Sequence, residues 1–149
     1  MKYLKYSIAV VLVTTLFTSC ETTSEQKNSS ESSELIINLT SDATLNAHGS
    51  LMGIHLAENA LDDGLEVMVF LNVNGVKLLQ PRADTLAFQG ENIRQALDKV
   101  VEKGGEVRVC PHCAEALGID KTQIPAKFKM QEKKVMMGKL KNNPTVFTY

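Results

Sequence analysis

A chain of 149 residues with 44% hydrophobic and 22% charged residues has the size and composition of one globular domain. Its formal net charge of -1, its lack of Trp and its 5% aromatic content supply neither a basic stripe for a nucleic acid backbone nor platforms for stacking bases, which argues against nucleic acid as a partner. Three cysteines are too few for a disulfide framework, so each must be explained by its own surroundings.

The N-terminus reads as an address. Lys2 and Lys5 precede an apolar run from Ile8 to Phe17, which ends in Thr18 and Ser19 before Cys20. This is the pattern of a secretory signal, too short for a comfortable membrane span. Phe17-Thr18-Ser19-Cys20 resembles a bacterial lipobox, with Phe17 in the place of the usual Leu. The resemblance implies that residues 1–19 are removed and that Cys20 is lipidated, its acyl chains holding the protein to a membrane. An ordinary cleaved signal with an unrelated cysteine is the alternative. Residues 20–33 are rich in Ser, Thr and Glu and read as a flexible spacer. The expected location is the bacterial cell envelope, on the periplasmic side or the outer membrane, where thiols are not kept reduced by default.

Residues 34–149 carry the alternation of a folded α/β domain. Residues 35–40 form a short apolar run typical of a buried parallel strand. Residues 47–61 place Leu51, Ile54, Ala57, Ala60 and Leu61 at a helical period, and Asp62-Asp63-Gly64 stops that helix, with Gly64 as a left-handed cap. Residues 66–71 read as a second buried strand, followed by the turn signal Asn72-Val73-Asn74-Gly75. Residues 76–79 are a short apolar piece, and residues 80–88, broken by Pro81, suggest no element. Residues 91–103 predict an amphipathic helix with Ile93, Leu97, Val100 and Val101 on one face. A third strand follows over 106–110 and a short helix over 113–117. Residues 126–130 alternate like a half-exposed strand. Residues 132–140 read as a helix whose Met136-Met137 pair is core filling. Residues 144–149 close the sheet as a strand inside it. Strands alternating with helices imply βαβ units, a mostly parallel sheet with helices on both faces, and a three-layer α/β/α sandwich.

Ligand and reaction sites in such sheets lie beyond the carboxyl ends of the strands. Cys110 stands at one of those ends, in Cys110-Pro111-His112-Cys113. A thiol in the first turn of a helix faces unpaired backbone N–H groups and the positive end of the helix dipole, which favours thiolate for either cysteine. Pro111 fits where a missing N–H costs nothing. His112 adds positive charge if protonated, or is simply a solvated loop residue. The tetrapeptide occurs in disulfide-forming oxidoreductases, but too little chain follows Cys113 to complete a thioredoxin domain. A structural zinc site lacks a second ligand pair. The favoured chemistry is a nucleophilic thiol that carries sulfur or exchanges disulfides, Cys110 attacking and Cys113 resolving. The alternatives are a soft-metal or non-catalytic interaction module using Cys110, His112 and Cys113, and two idle cysteines.

The helix ending Ala-Leu-Asp-Asp-Gly-Leu-Glu-Val-Met-Val-Phe, the following Gly-Val, and the helix ending Gly-Gly-Glu-Val-Arg-Val-Cys resemble the DsrE/DsrF/TusD-like family, closest to a branch with Cys-Pro-x-Cys, a short helix and Gly-Ile. The resemblance covers residues 34–149 and is most specific over 64–70 and 105–119. It implies a mostly parallel five-stranded sheet and oligomers of this chain. In sulfur-relay members a cysteine matching Cys110 accepts a persulfide sulfur and passes it on; Cys113 has no counterpart there, and its role rests on spacing. Relay members are typically cytosolic, whereas this chain reads as exported. Asn46 and His48 near the end of the first strand, and Asn72 and Asn74 after the second, are candidates to share the site, with His48 as base or charge partner or as a solvated loop residue. His55 reads as a helix-surface residue. The expected partners are a sulfur donor or acceptor protein or a small thiol, and the membrane through the lipid anchor; no cofactor is implied.

Overall fold

The structure, a computed structural model, describes residues 33–149; the signal segment, Cys20 and most of the linker lie outside the described residues. In chain order the regular elements are β1 (Glu34–Leu39), α1 (Ala47–Asp62), β2 (Glu66–Leu71), a hairpin of β3 (Ala87–Phe88) and β4 (Glu91–Asn92), α2 (Ile93–Glu102), β5 (Glu106–Val109), α3 (Pro111–Ala116), β6 (Lys129–Met130), α4 (Lys133–Lys141) and β7 (Thr145–Thr148). Five strands form one sheet in the order β6-β5-β2-β1-β7. Every neighbouring pair in it is parallel, with Ile37 opposite Val69 and Phe147, and Val69 opposite Val107. The α/β class and the five-stranded parallel sheet expected from the sequence are therefore borne out. Among the described residues no helix is long and apolar enough to cross a membrane.

The pleat sorts the strand side chains between two unequal layers. Leu35, Ile37, Leu39, Val67, Val69, Leu71, Val107 and Val109 face one side, where they pack with Leu51, Ile54 and Ala57 of α1 and Ile93, Leu97 and Val100 of α2. Burying each of these larger side chains contributes roughly 1.5–3 kcal/mol, so this layer dominates stability. Ile36, Asn38 and Phe70 point the other way and line a groove with Met136 and Leu140 of α4. No residue of α4 is fully buried. The asymmetry follows from connection handedness. The connections β1 to β2, β2 to β5 and β5 to β6 all step in one direction, whereas β6 to β7 steps back across the sheet. Right-handed crossovers in opposite directions place their helices on opposite faces.

Several boundaries differ from the sequence-based expectation. Asn92 caps α2, its Oδ1 accepting the Gln95 N–H at 2.9 Å, so residues 91 and 92 of the predicted helix belong to the hairpin instead. The unassigned stretch forms 3₁₀ turns at Gly75–Leu79 and Pro81–Thr85 and then β3, with Pro81 opening the second turn. The strand predicted over 126–130 shrinks to two residues, because a turn in which Phe128 N–H donates to Pro125 O at 2.9 Å bends the chain before it can pair. Phe128 is buried there, beneath the Arg94 guanidinium 5.0 Å from its ring centre. The closing strand β7 is the sheet's edge rather than an interior strand, and its four residues are exposed. Gly64, at φ +83°, ends α1 as expected, since a left-handed residue there carries no Cβ penalty.

The loops at the carboxyl ends of β1 and β2 are tied together. Asp42, 8% exposed, accepts Lys77 Nζ at 2.7 Å on Oδ2 and both the N–H and hydroxyl of Thr44 on Oδ1. The Lys77 hydrogen bond, opposed by burial and helped by Thr44, lowers the Asp42 pKa to about 2 from 3.8. A folded-state pKa below the unfolded value stabilises the fold above pH 3.8 and loses that contribution as pH falls toward 2. The shift corresponds to about 2 kcal/mol. Urea unfolding at about pH 5 and about pH 2 should show Asp42→Asn losing markedly less stability on acidification than the parent. Equal losses in the two proteins would remove Asp42 from the acid response.

Candidate functional site

Strand β5 runs buried between β2 and β6 and delivers Cys110 to the carboxyl edge of the sheet. The Cys110 N–H continues the ladder to Leu71 O at 2.9 Å, after which the chain turns into α3. Pro111 begins that helix, where its missing N–H would have had no partner. The helix thus starts two residues before the expected Cys113, and Cys110 is its N-cap. Cys110 Sγ accepts the Cys113 N–H at 3.2 Å, so a thiol occupies the acceptor position that Ser, Asp or Asn usually fills. The Cys-x-x-Cys spacing is the spacing between an N-cap side chain and the third helical N–H.

The second sulfur is held from the neighbouring strand. Val73 follows β2 and donates its N–H to Cys113 Sγ at 3.2 Å. Val73 itself has φ +46°, a left-handed conformation in which a β-branched side chain is strained. The side chain is 55% exposed, so packing does not impose this conformation. The sequence marks only a turn here, through Asn72-Val73-Asn74-Gly75, and nothing in it identifies Val73 as a contact of the thiol. Both cysteines are free and half-buried. Burial pushes the Cys113 thiol above its usual range, and the hydrogen bond to Cys110 pushes it further, against the pull of the Val73 N–H. Lowering by the helix start, expected for either thiol, is thus outweighed by desolvation at Cys113.

Asparagine tolerates the left-handed region without branching at Cβ. Val73→Asn should therefore stabilise the protein by about 1 kcal/mol in chemical denaturation, because strain is relieved where little packing is lost. A loss of stability would mean that the Val73 side chain has a packing role its exposure conceals.

Around Cys113 the residues Val73, Asn74, His112, Ala116 and Leu117 line an open, mostly apolar depression of about 280 Å³. His112 is exposed on the first turn of α3 rather than in a loop. A depression of about 300 Å³ at the other end of α3, between Leu79–Arg82 and Gly118–Asp120, holds no thiol. The other candidates have separate engagements. Asn46 caps α1, its Oδ1 accepting the Gly49 N–H at 3.0 Å. His48 is exposed and stacks on Phe88, with ring centres 4.5 Å apart. Asn72 donates to Asn38 Oδ1 at 2.8 Å and lines the groove beneath α4. The structure therefore gathers Cys110, Cys113, His112 and Asn74, while Asn46, His48 and Asn72 are occupied by capping, stacking and the opposite sheet face. His55, read as a surface residue, is half-buried and pairs with Glu91 at 2.8 Å.

Five parallel strands with two thiols at their carboxyl edge define an α/β domain built to present side chains beyond the strand ends. The chain belongs to the DsrE/DsrF-like family, whose model matches residues 23–149. Three solved structures share the fold. MTH1491 of Methanobacterium thermoautotrophicum, a protein of unknown function, superposes with a TM-score of 0.59 at 12% identity, over 78% of this chain and 98% of its own. BT1422 of Bacteroides thetaiotaomicron, also of unknown function, gives 0.59 at 16% identity, over 78% and 95%. The ychN protein of E. coli gives 0.55 at 19% identity, over 78% and 97%. No curated protein matches the chain. The resemblance read from the sequence is borne out at the level of the DsrE/DsrF-like family.

Proposed function

We propose that this protein handles sulfur through Cys110, taking a sulfane sulfur or exchanging a disulfide, with Cys113 as the resolving thiol. The observation that carries this reading is the pair of 3.2 Å backbone hydrogen bonds, Cys113 N–H to Cys110 Sγ and Val73 N–H to Cys113 Sγ, at the carboxyl edge of a parallel sheet. Backbone N–H groups aimed at sulfur stabilise negative charge on it during attack or departure.

In the first step Cys110 thiolate attacks the outer sulfur of a donor persulfide, R–S–SH. A new S–S bond forms at Cys110, the donor S–S bond breaks, and R–S⁻ leaves to take up a proton. The Cys110 persulfide then has two outlets. An acceptor thiolate takes its outer sulfur and releases Cys110 thiolate. Alternatively Cys113, after losing its proton, attacks Cys110 Sγ and expels hydrosulfide; two thiols are oxidised to a disulfide as the sulfane sulfur is reduced to sulfide. The raised Cys113 pKa suits the second role, since a protonated resolving thiol does not intercept the persulfide prematurely.

The signal segment and lipobox support placement in the bacterial cell envelope, with Cys20 as lipid anchor and the linker as tether. The partners in this reading are a sulfur donor or acceptor protein or small thiol, reaching the sulfur from the depression beside His112. Self-association fits the edge strand β7, where Val146 and Phe147 are each nearly half exposed. Exposure of the reduced chain to a persulfide donor, followed by intact mass and peptide mapping, should show the mass of one sulfur atom on the Cys110 peptide. A chain that takes up no sulfur and exchanges no disulfide would remove the proposal.

A further inference from the structure

A second group of chemically active side chains lies outside the thiol region. His55 and Glu58 are three residues apart on α1 and so share a strip of its surface. Glu91 reaches the same strip from β4. One ligand atom from each of the three lies within 4.8 Å of the others. His55 Nε2 and Glu91 Oε2 are 2.8 Å apart, a hydrogen-bond separation that a tetrahedral ion holding each donor at about 2.1 Å would widen to about 3.4 Å. Glu58 adds an independent observation: its Oε1 exposes less than 1 Å² and has no hydrogen-bond partner. A carboxylate oxygen shut away from water without a donor is unfavourable, and a cation supplies the missing partner. Lys99 takes the other oxygen of Glu91, Oε1, at 3.1 Å, leaving Oε2 directed at His55.

We propose that His55, Glu58 and Glu91 form a binding site for a divalent first-row transition cation, represented by Zn²⁺. The site is separate from the thiols and does not rest on their chemistry. Two carboxylates and a neutral imidazole carry two negative charges, one of them shared with Lys99, so the cluster stays net negative toward a divalent ion. One nitrogen and two oxygen donors suit zinc-like cations better than Ca²⁺ or Mg²⁺, which favour all-oxygen sites, or Cu(I), which favours sulfur. Three protein ligands leave a position for water.

The ion would fasten the hairpin to α1. His48 stacks on Phe88 and, two helical turns along α1, His55 meets Glu91, so the hairpin lies along the helix. Asn92, next to Glu91, caps α2, which couples occupancy to the start of that helix.

The test uses the full chain with all three cysteines replaced by serine, so that thiols cannot contribute. Equilibrium dialysis against Zn²⁺ should give one bound equivalent, and Zn²⁺ should raise the thermal unfolding midpoint. In that background Glu58→Gln and His55→Gln should each weaken binding at least about 10-fold, the loss that follows removal of even an outer-shell partner. The metal-free midpoint of Glu58→Gln should not fall below that of its parent, because the neutral amide removes a shielded charge whose Oε1 has no hydrogen-bond partner. Absence of a stoichiometric Zn²⁺ site in the cysteine-free chain, or undiminished affinity in either variant, would overturn the proposal.

Discussion

Gly75→Ala is expected to destabilise the protein by about 3 kcal/mol, the upper part of the usual range for overpacking. A Cβ on Gly75 would lie 2.1 Å from Leu39 O and 2.8 Å from Leu39 C. These are backbone atoms at the end of β1, so no rotamer change relieves the overlap. The surrounding backbone is also fixed: Asn72 N–H donates to Leu39 O and Asn74 N–H to Thr40 O, each at 3.1 Å. Val76, which follows, is fully buried. Relief therefore requires moving the β2 turn away from β1, and Val73 lies within that turn. The variant should weaken the Val73 N–H contact with Cys113 as well as lower the urea midpoint. An unfolding free energy within about 1 kcal/mol of the parent would show that the turn moves more freely than its hydrogen bonds imply.

Gly75 also illustrates which features the sequence carries. The Asn-Val-Asn-Gly run signals a turn, but the close approach of that turn to β1 depends on the pairing of β1 with β2, which a local pattern does not encode. The strands and helices that build the main core were legible because their apolar periodicity is long enough to read. Two-residue strands have no period, so β3 and β4 were invisible, and β6 was overextended because Lys and apolar residues alternate through the turn at Pro125. The edge position of β7 depends on the direction of the last crossover, which five-strand counting leaves open. At the candidate site the thiol spacing and strand-end position were readable. The Val73 contact was not, because a backbone N–H belongs to every non-proline residue and its direction depends on backbone torsions that no local residue pattern encodes. The same limitation separated Glu91 from His55: thirty-six positions apart in the chain, they meet through the hairpin.

The layer beneath α4 connects the fold to the site. Asn72 sits at the mouth of that groove, and its Oδ1 is shielded with no hydrogen-bond partner, while its Nδ2 holds Asn38. One residue later Val73 turns back toward Cys113 on α3. Consecutive residues after β2 thus serve opposite faces of the sheet, Asn72 through its side chain and Val73 through its backbone N–H. Val73 holds its left-handed φ while its own N–H points at Cys113 Sγ, which places the local strain beside the thiol pair.

Cys110→Ser should abolish sulfur uptake while leaving the fold nearly intact. Serine is a favoured N-cap and its hydroxyl oxygen can accept the Cys113 N–H that Cys110 Sγ accepts now, so stability should change by no more than about 1 kcal/mol. What disappears is the sulfur nucleophile itself, since a serine hydroxyl stays protonated and forms no persulfide. Cys113→Ser should behave differently. The first step needs only Cys110, so uptake should persist, and without a resolving thiol the Cys110 persulfide should accumulate instead of releasing hydrosulfide. Intact mass after exposure to the donor reports the bound sulfur, and a sulfide assay reports its release. If Cys113→Ser loses uptake while Cys110→Ser retains it, the two roles are reversed. If both single variants take up sulfur equally, neither cysteine is uniquely the acceptor, and the N-cap position of Cys110 has no bearing on the chemistry.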